Sequence, residues 1–181
     1  MVMPFHRVNV LSGTKSAIVL EQSREYAAVI RQAKRPLLVL GPRLTEEPAA
    51  RRSLLQYAID LTKTAGMAIC ATANVKGKMA GSGARPDSEY DLVEIVNHLK
   101  HPDWRGARGE GNHDLVVFLG IRTDLLNQCL STLKHFAPHL RTMTLDKYSF
   151  PNADYTLPNY REDEDWRRFL DDLLLDLNEE V

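Results

Sequence analysis

Two short runs constrain the fold more than anything else in the chain. Leu37-Leu-Val-Leu-Gly41 and Leu115-Val-Val-Phe-Leu-Gly120 are apolar at every position before a closing glycine. A strand that alternates polar and apolar residues has one wet face, whereas a strand without alternation is covered on both faces, as in a parallel sheet flanked by helices. Two further strands are expected at Met67–Thr72 and Leu140–Leu145, with a short one near 154–157. Helical spacing separates them. Tyr26, Val29, Ile30 and Ala33 repeat at i, i+3, i+4 and i+7, as do Leu92, Ile95, Val96 and Leu99, and again Leu126, Cys129, Leu130 and Leu133. Leu54, Ala58, Leu61 and Ala65 mark a helix after the first strand, and Trp166, Phe169, Leu170, Leu173, Leu174 and Leu177 form the longest apolar stripe. Alternating helices and strands imply right-handed crossovers and an open, doubly wound parallel sheet: a three-layer, Rossmann-like α/β fold.

At 181 residues the chain has enough material for one such domain and too little for two. The expected organisation is a single domain, 1–181, with an N-terminal extension over 1–21, a doubly wound core over 22–181 and a C-terminal helix over 162–178. The carboxylates of Glu162-Asp-Glu-Asp165 suit the positive end of that helix. Ser88 and Asp91, after Pro86, resemble a capping box opening the helix at Leu92. Ala73–Asp87 follows a strand and is expected as a long, mobile connection at the carboxyl edge of the sheet. His101–His113 follows a helix and belongs at the opposite edge.

Composition excludes several functions. With 23 Lys+Arg against 24 Asp+Glu, the chain lacks the basic excess of a nucleic-acid surface. No apolar run reaches membrane-spanning length, and Met1–Arg7 lacks the apolar core of a signal peptide, so a cytoplasmic location is expected. Cys70 and Cys129 sit in apolar runs and read as buried small hydrophobes. Two isolated thiols cannot hold an iron–sulfur cluster or a structural zinc. The six histidines lack carboxylate or thiolate partners at ligand spacing and read as surface or capping residues, so no metal is expected. Ser12-Gly-Thr-Lys-Ser16 resembles the end of a phosphate loop, but a threonine separates glycine from lysine and no upstream glycine completes it. Gly-x-Gly-x-x-Gly and Gly-x-Ser-x-Gly are both absent, and no catalytic cluster is evident.

One constellation survives. The first strand runs into Gly41-Pro-Arg43 and the third into Gly120-Ile-Arg122. The second strand is expected on the far side of the first, so strand order reverses between these two ends. Ligands bind at such a switch point. Glycines there admit a ligand to the backbone, and arginines with nearby Lys76 and Lys78 provide charge for an anion such as a diphosphate. The candidate cofactor-binding residues are therefore Gly41, Arg43, Lys76, Gly120 and Arg122. The alternative is that the glycines only turn the chain and the arginines are solvated.

Five stretches resemble a known family. Lys34-Arg-Pro-Leu-Leu-Val-Leu-Gly-Pro42, Ala71-Thr-Ala-Asn-Val-Lys-Gly77, Tyr90-Asp-Leu-Val-Glu-Ile-Val-Asn97, Asp114-Leu-Val-Val-Phe-Leu-Gly120 and Thr144-Leu-Asp-Lys-Tyr-Ser-Phe-Pro-Asn-Ala-Asp154 are similar to the ε subunit of archaeal acetyl-CoA decarbonylase/synthase, also called the carbon monoxide dehydrogenase ε subunit. The similarity runs from about Lys34 to Pro158. It implies a fold like the flavin- and nicotinamide-binding-like domain of electron-transfer flavoproteins. It also implies partnership with a large α subunit that holds a nickel–iron–sulfur cluster and oxidises carbon monoxide. The family's ε subunit has no metal and no assigned catalytic residue. Expected, then, is a non-catalytic accessory subunit in a homo- or hetero-oligomer, with FAD bound weakly or only within the complex. Two other readings compete: a stand-alone flavin- or nucleotide-binding protein, and a small enzyme with an unrecognised site.

Overall fold

The computed structural model describes residues 16–45, 53–72 and 75–179. Most of the phosphate-loop-like Ser12–Ser16, the Met1–Arg7 segment, and Ala73 and Asn74 of the long connection lie outside the described residues. Seven strands form one sheet in the order β1-β7-β6-β5-β2-β3-β4, and every pairing is parallel. They are β1 (Ile18–Val19), β2 (Pro36–Leu40), β3 (Ala68–Ala71), β4 (Ser88–Glu89), β5 (Leu115–Leu119), β6 (Arg141–Thr144) and β7 (Tyr155–Thr156). The helices are α1 (Ser23–Gln32), α2 (Leu54–Ala65), α3 (Val75–Gly81), α4 (Leu92–Lys100), α5 (Thr123–Phe136) and α6 (Asp163–Asn178).

The two runs without alternation lie side by side at the centre. Leu37 pairs with Val116 and Leu40 with Leu119, and all five residues of each strand are buried. Their side chains divide between two cores. Leu38, Leu40, Val117 and Leu119 pack beneath α1, α2 and α6, whereas Leu37, Val39, Val116 and Phe118 pack beneath α4 and α5. Both faces are covered, as the unbroken apolarity requires.

The helices begin and end where local chemistry allows. Ser53 accepts the Gln56 N–H at 3.2 Å to open α2, and Gly66, at φ 63°, closes it. Along α6 the whole predicted stripe from Trp166 to Leu177 is buried. Trp166 donates its indole N–H to the Leu145 carbonyl at 2.8 Å, and Tyr57 donates its hydroxyl to Asp171.

Four expectations need correcting. Ile18–Val19 is an edge strand beside β7, so the sheet takes in part of the segment read as an extension. The Ala73–Asp87 connection contains α3, whose Val75 and Met79 are fully buried. Ser88 does not cap α4. It lies in β4 opposite Cys70, and the Asp91 side chain makes no capping bond. Finally, His113 is internal, not a surface histidine.

The His101–His113 connection does lie at the amino edge, and it is anchored there. Asp114 accepts the backbone N–H groups of Lys34 and Arg35, both at 2.8 Å. Burial alone would raise this carboxyl, but those donors outweigh it and hold it below its usual value. Arg108 pairs with Asp87 at 2.9 Å and donates to the Met67 carbonyl at 2.8 Å. His113 receives the Ala107 N–H on Nε2 at 3.1 Å, so Nδ1 carries the proton and donates to the Arg35 carbonyl at 2.9 Å. Burial lowers its pKa.

Candidate functional site at the carboxyl edge of the sheet

Strand order reverses where the sequence places the reversal: β2 has β3 on one side and β5 on the other. Gly41 and Gly120 therefore end adjacent strands at the switch point. The structure uses both glycines for contact between chain segments. A Cβ on Gly41 would fall 2.3 Å from the Gly120 carbonyl oxygen, and one on Gly120 would fall 2.5 Å from Leu44 Cγ. Gly120 also has φ 75°, a conformation that L side chains seldom adopt. A short 3-10 turn, Pro42–Thr45, folds over this junction and buries Leu44 against it.

Three backbone donors at this junction are already engaged. Gly41 N–H donates to the Leu119 carbonyl and Arg43 N–H to the Gly120 carbonyl, both at 2.9 Å. Gly120 N–H donates to the Asp146 carboxylate at 2.9 Å. Asp124 lies in the first turn of α5, where a carboxylate suits the positive end of the helix. Arg122 binds it through two N–H groups, at 3.2 and 2.7 Å. This contact, followed by N–H donors including that of Leu125, holds the Asp124 carboxyl below its usual value.

The candidate cations are thus spread around the edge without converging. Arg43 is exposed on the turn. Arg122 is committed to Asp124, and Lys76, on α3, pairs with Glu89 at 2.7 Å. As built, the junction between Gly41 and Gly120 does not fit a diphosphate. The sequence located the two glycines correctly, but it carried no sign that Gly41 is required by the Gly120 carbonyl and Gly120 by Leu44. It also missed Asp124 and Asp146, whose only signal was their place two residues after Arg122 and just beyond β6.

Elsewhere, Cys70 and Cys129 are both buried, and burial pushes the Cys70 thiol up to about 11. No group of three or more histidine, cysteine, aspartate or glutamate side chains among the described residues is placed to hold a metal. Among the same residues no helix is long and apolar enough to cross a membrane.

Fold and edge together define a class: a Rossmann-like, three-layer α/β domain whose switch point is closed by its own backbone. Comparison with known sequences gives the family. The chain belongs to the family described as CO dehydrogenase beta subunit/acetyl-CoA synthase epsilon subunit, which matches residues 1–174. It is 38% identical over 162 residues to the acetyl-CoA decarbonylase/synthase complex subunit epsilon of Methanothermobacter thermautotrophicus, covering 90% of this chain and 89% of that one. Identity to the subunit epsilon of Methanothrix soehngenii is 39% over 133 residues, covering 73% and 68% of the two chains. To subunit epsilon 1 of Archaeoglobus fulgidus it is 33% over 155 residues, covering 81% of each. The family match takes in both the first 33 residues and most of α6, beyond the five stretches that carry the resemblance.

Proposed function

We propose that the chain is a non-catalytic epsilon subunit of an acetyl-CoA decarbonylase/synthase complex, and that it acts by docking on and stabilising the large nickel–iron–sulfur α subunit. The observation that carries this reading is the contact between Gly41 and Gly120. The fold's usual ligand entrance is spent on internal packing, with Leu44 seated on it and the nearby backbone donors engaged. A domain closed in this way contributes surface, and its rigid two-sided core suits a scaffold. The family and its relatives' names support the assembly in which it works.

A second reading concerns FAD, held weakly or only within the complex and serving electron transfer from the α subunit. Exposed Arg43, on the Pro42–Thr45 turn, favours an anion approaching the rim from outside. Such binding requires the Pro42–Thr45 turn to lift, or Arg122 to exchange Asp124 for the ligand.

Reconstitution separates these readings. The purified α subunit is heated with and without the chain, and the half-life of its carbon monoxide oxidation is followed with a dye acceptor and then with FAD. Stabilisation with either acceptor is expected. If the chain neither co-elutes with the α subunit nor lengthens that half-life, the scaffold reading is wrong. An effect confined to FAD reduction would transfer the function to electron transfer.

A further inference from the structure

The anchored loop at the amino edge encloses a small hollow beside the first residues of β2 and β3. Its volume is about 50 Å³, and Lys34, Arg35, Arg108, Glu110, Gly111 and His113 contribute to its lining. That is room for a few water molecules or one oxyanion. Two guanidinium groups are fixed there by bonds that leave N–H groups to spare. Arg35 donates its Nε–H to the Asn112 carbonyl at 2.6 Å, and its terminal nitrogens meet no acceptor among the described residues. Gly111 rests on the same group, since a Cβ there would lie 3.5 Å from Arg35 Nε. Arg108 is held by the Asp87 carboxylate and by the Gly66 and Met67 carbonyls, at 2.9, 3.2 and 2.8 Å.

The nearby carboxylates are already committed. Asp114 accepts the backbone N–H groups of Lys34 and Arg35, and Asp87 accepts from Arg108 and from the Ile69 N–H. That leaves Lys34 and Arg35, neither ion-paired among the described residues, against Glu110, the one carboxylate in the lining. His113 feels the resulting field. Burial is the main cause of its lowered pKa, and the charges of Arg35 and Arg108 push it the same way, against the Arg35 carbonyl and Asp114. We propose that this hollow is a binding site for a small tetrahedral oxyanion such as inorganic phosphate, held by the Arg35 and Arg108 guanidinium groups with Lys34 adding charge. The planar forks of arginine match the oxygens of such an ion. A bound oxyanion joins the residues ahead of β2 to the anchored loop and so braces the amino edge. The site lies at the opposite end of the strands from the switch point and depends on neither reading of that junction.

The experiment is titration of the full chain with inorganic phosphate at constant ionic strength, with sodium chloride as the reference. The imidazole signals of His113 are followed by NMR, and the melting temperature is measured alongside. Phosphate is expected to move the His113 signals to saturation and to raise the melting temperature, and chloride to do neither. Arg35→Gln, at an exposed side chain, is expected to weaken binding by about tenfold or more, and Glu110→Gln to tighten it by about threefold or more. Arg24→Gln, at the carboxyl edge, leaves binding unchanged. Glu110 makes no bond to another described residue, so its variant keeps the test open should Arg35→Gln lose the wild-type circular dichroism. Glycerol 3-phosphate separates a free ion from the phosphate group of a larger molecule. It is too large for the hollow and is expected to bind at least about tenfold more weakly. The proposal is overturned if His113 responds to phosphate no more than to chloride, if Arg35→Gln binds like wild type, or if Glu110→Gln binds no tighter. It is equally overturned if Arg24→Gln weakens binding as much as Arg35→Gln does, or if the ester binds as tightly as phosphate.

Discussion

Replacing Gly120 with alanine tests whether the switch-point glycines serve the chain or a ligand. Two costs follow from the structure. The residue sits at φ 75°, where an L side chain loses about 1–2 kcal/mol. The new Cβ would also lie 2.5 Å from Leu44 Cγ and 3.0 Å from Leu44 N, an overpacking of the kind that costs about 1–3 kcal/mol. Together they amount to about 2–5 kcal/mol, which in a domain of this size lowers the melting temperature by about 4–20 °C. Differential scanning calorimetry of the chain without ligand measures this directly. The steric share is isolated by adding Leu44→Ala. Removing Cγ frees the space, so the double variant is expected to be less destabilised than the sum of its single changes. A Gly120→Ala chain that melts like wild type would refute the reasoning. It would mean that the space above Gly120 is open and that the glycine is there for an incoming ligand.

Further outcomes follow from the fold. Leu173→Ala, at a side chain only 1% exposed beneath α6, is expected to cost about 2–5 kcal/mol in denaturant unfolding. Gly77→Ala is expected to stabilise by up to about 1 kcal/mol, since its Cβ would meet nothing within 4 Å and α3 gains a better helix former. His113 predicts a pH dependence. Its folded pKa is lowered, so below the ordinary value near 6.5 the unfolded chain takes up a proton that the folded chain refuses. Stability should be fully present above about pH 6.5 and decline as pH falls from there towards the folded pKa. In His113→Phe this part of the slope in a melting-temperature profile should disappear, and a profile identical to wild type would rule the histidine out.

The legible parts of the sequence are those in which many residues repeat one message. β2 and β5 are apolar at every position because both faces are covered, and the α6 stripe is continuous because one helix face spans the core. β1, β4 and β7 have two residues each, too few to show a period, and their pairing comes from neighbours distant in sequence. α3 was hidden by its two glycines. Its one signal was Val75 and Met79, four residues apart, and tertiary burial rather than propensity makes it a helix. Ser88 carried the chemistry of a cap, yet backbone pairing with β3 claimed it first. At the candidate site, chain order was enough to bring Gly41 and Gly120 together. The close approach of the Gly120 carbonyl to Gly41 and of Leu44 to Gly120 was not visible, because a glycine reserved for a ligand and a glycine reserved for the chain itself look alike in one dimension. The same limit applied to His113, whose partners at Arg35 and Ala107 are brought to it by the loop's fold.

The closed edge is the centre of this account, and flavin titration of the isolated chain tests it most directly. FAD fluorescence is followed while wild type, Arg43→Ala and Arg122→Ala are added in turn. With the junction packed and Arg122 held by Asp124, the prediction is no tight, stoichiometric binding to the isolated wild type. Weak association, if seen, should fall on removal of Arg43, by about one to two decades for the loss of one charge-assisted contact. A protein that purifies yellow, or saturates with one FAD per chain and loses it on Arg43→Ala or Arg122→Ala, would contradict the closed edge and make the chain a flavoprotein in its own right.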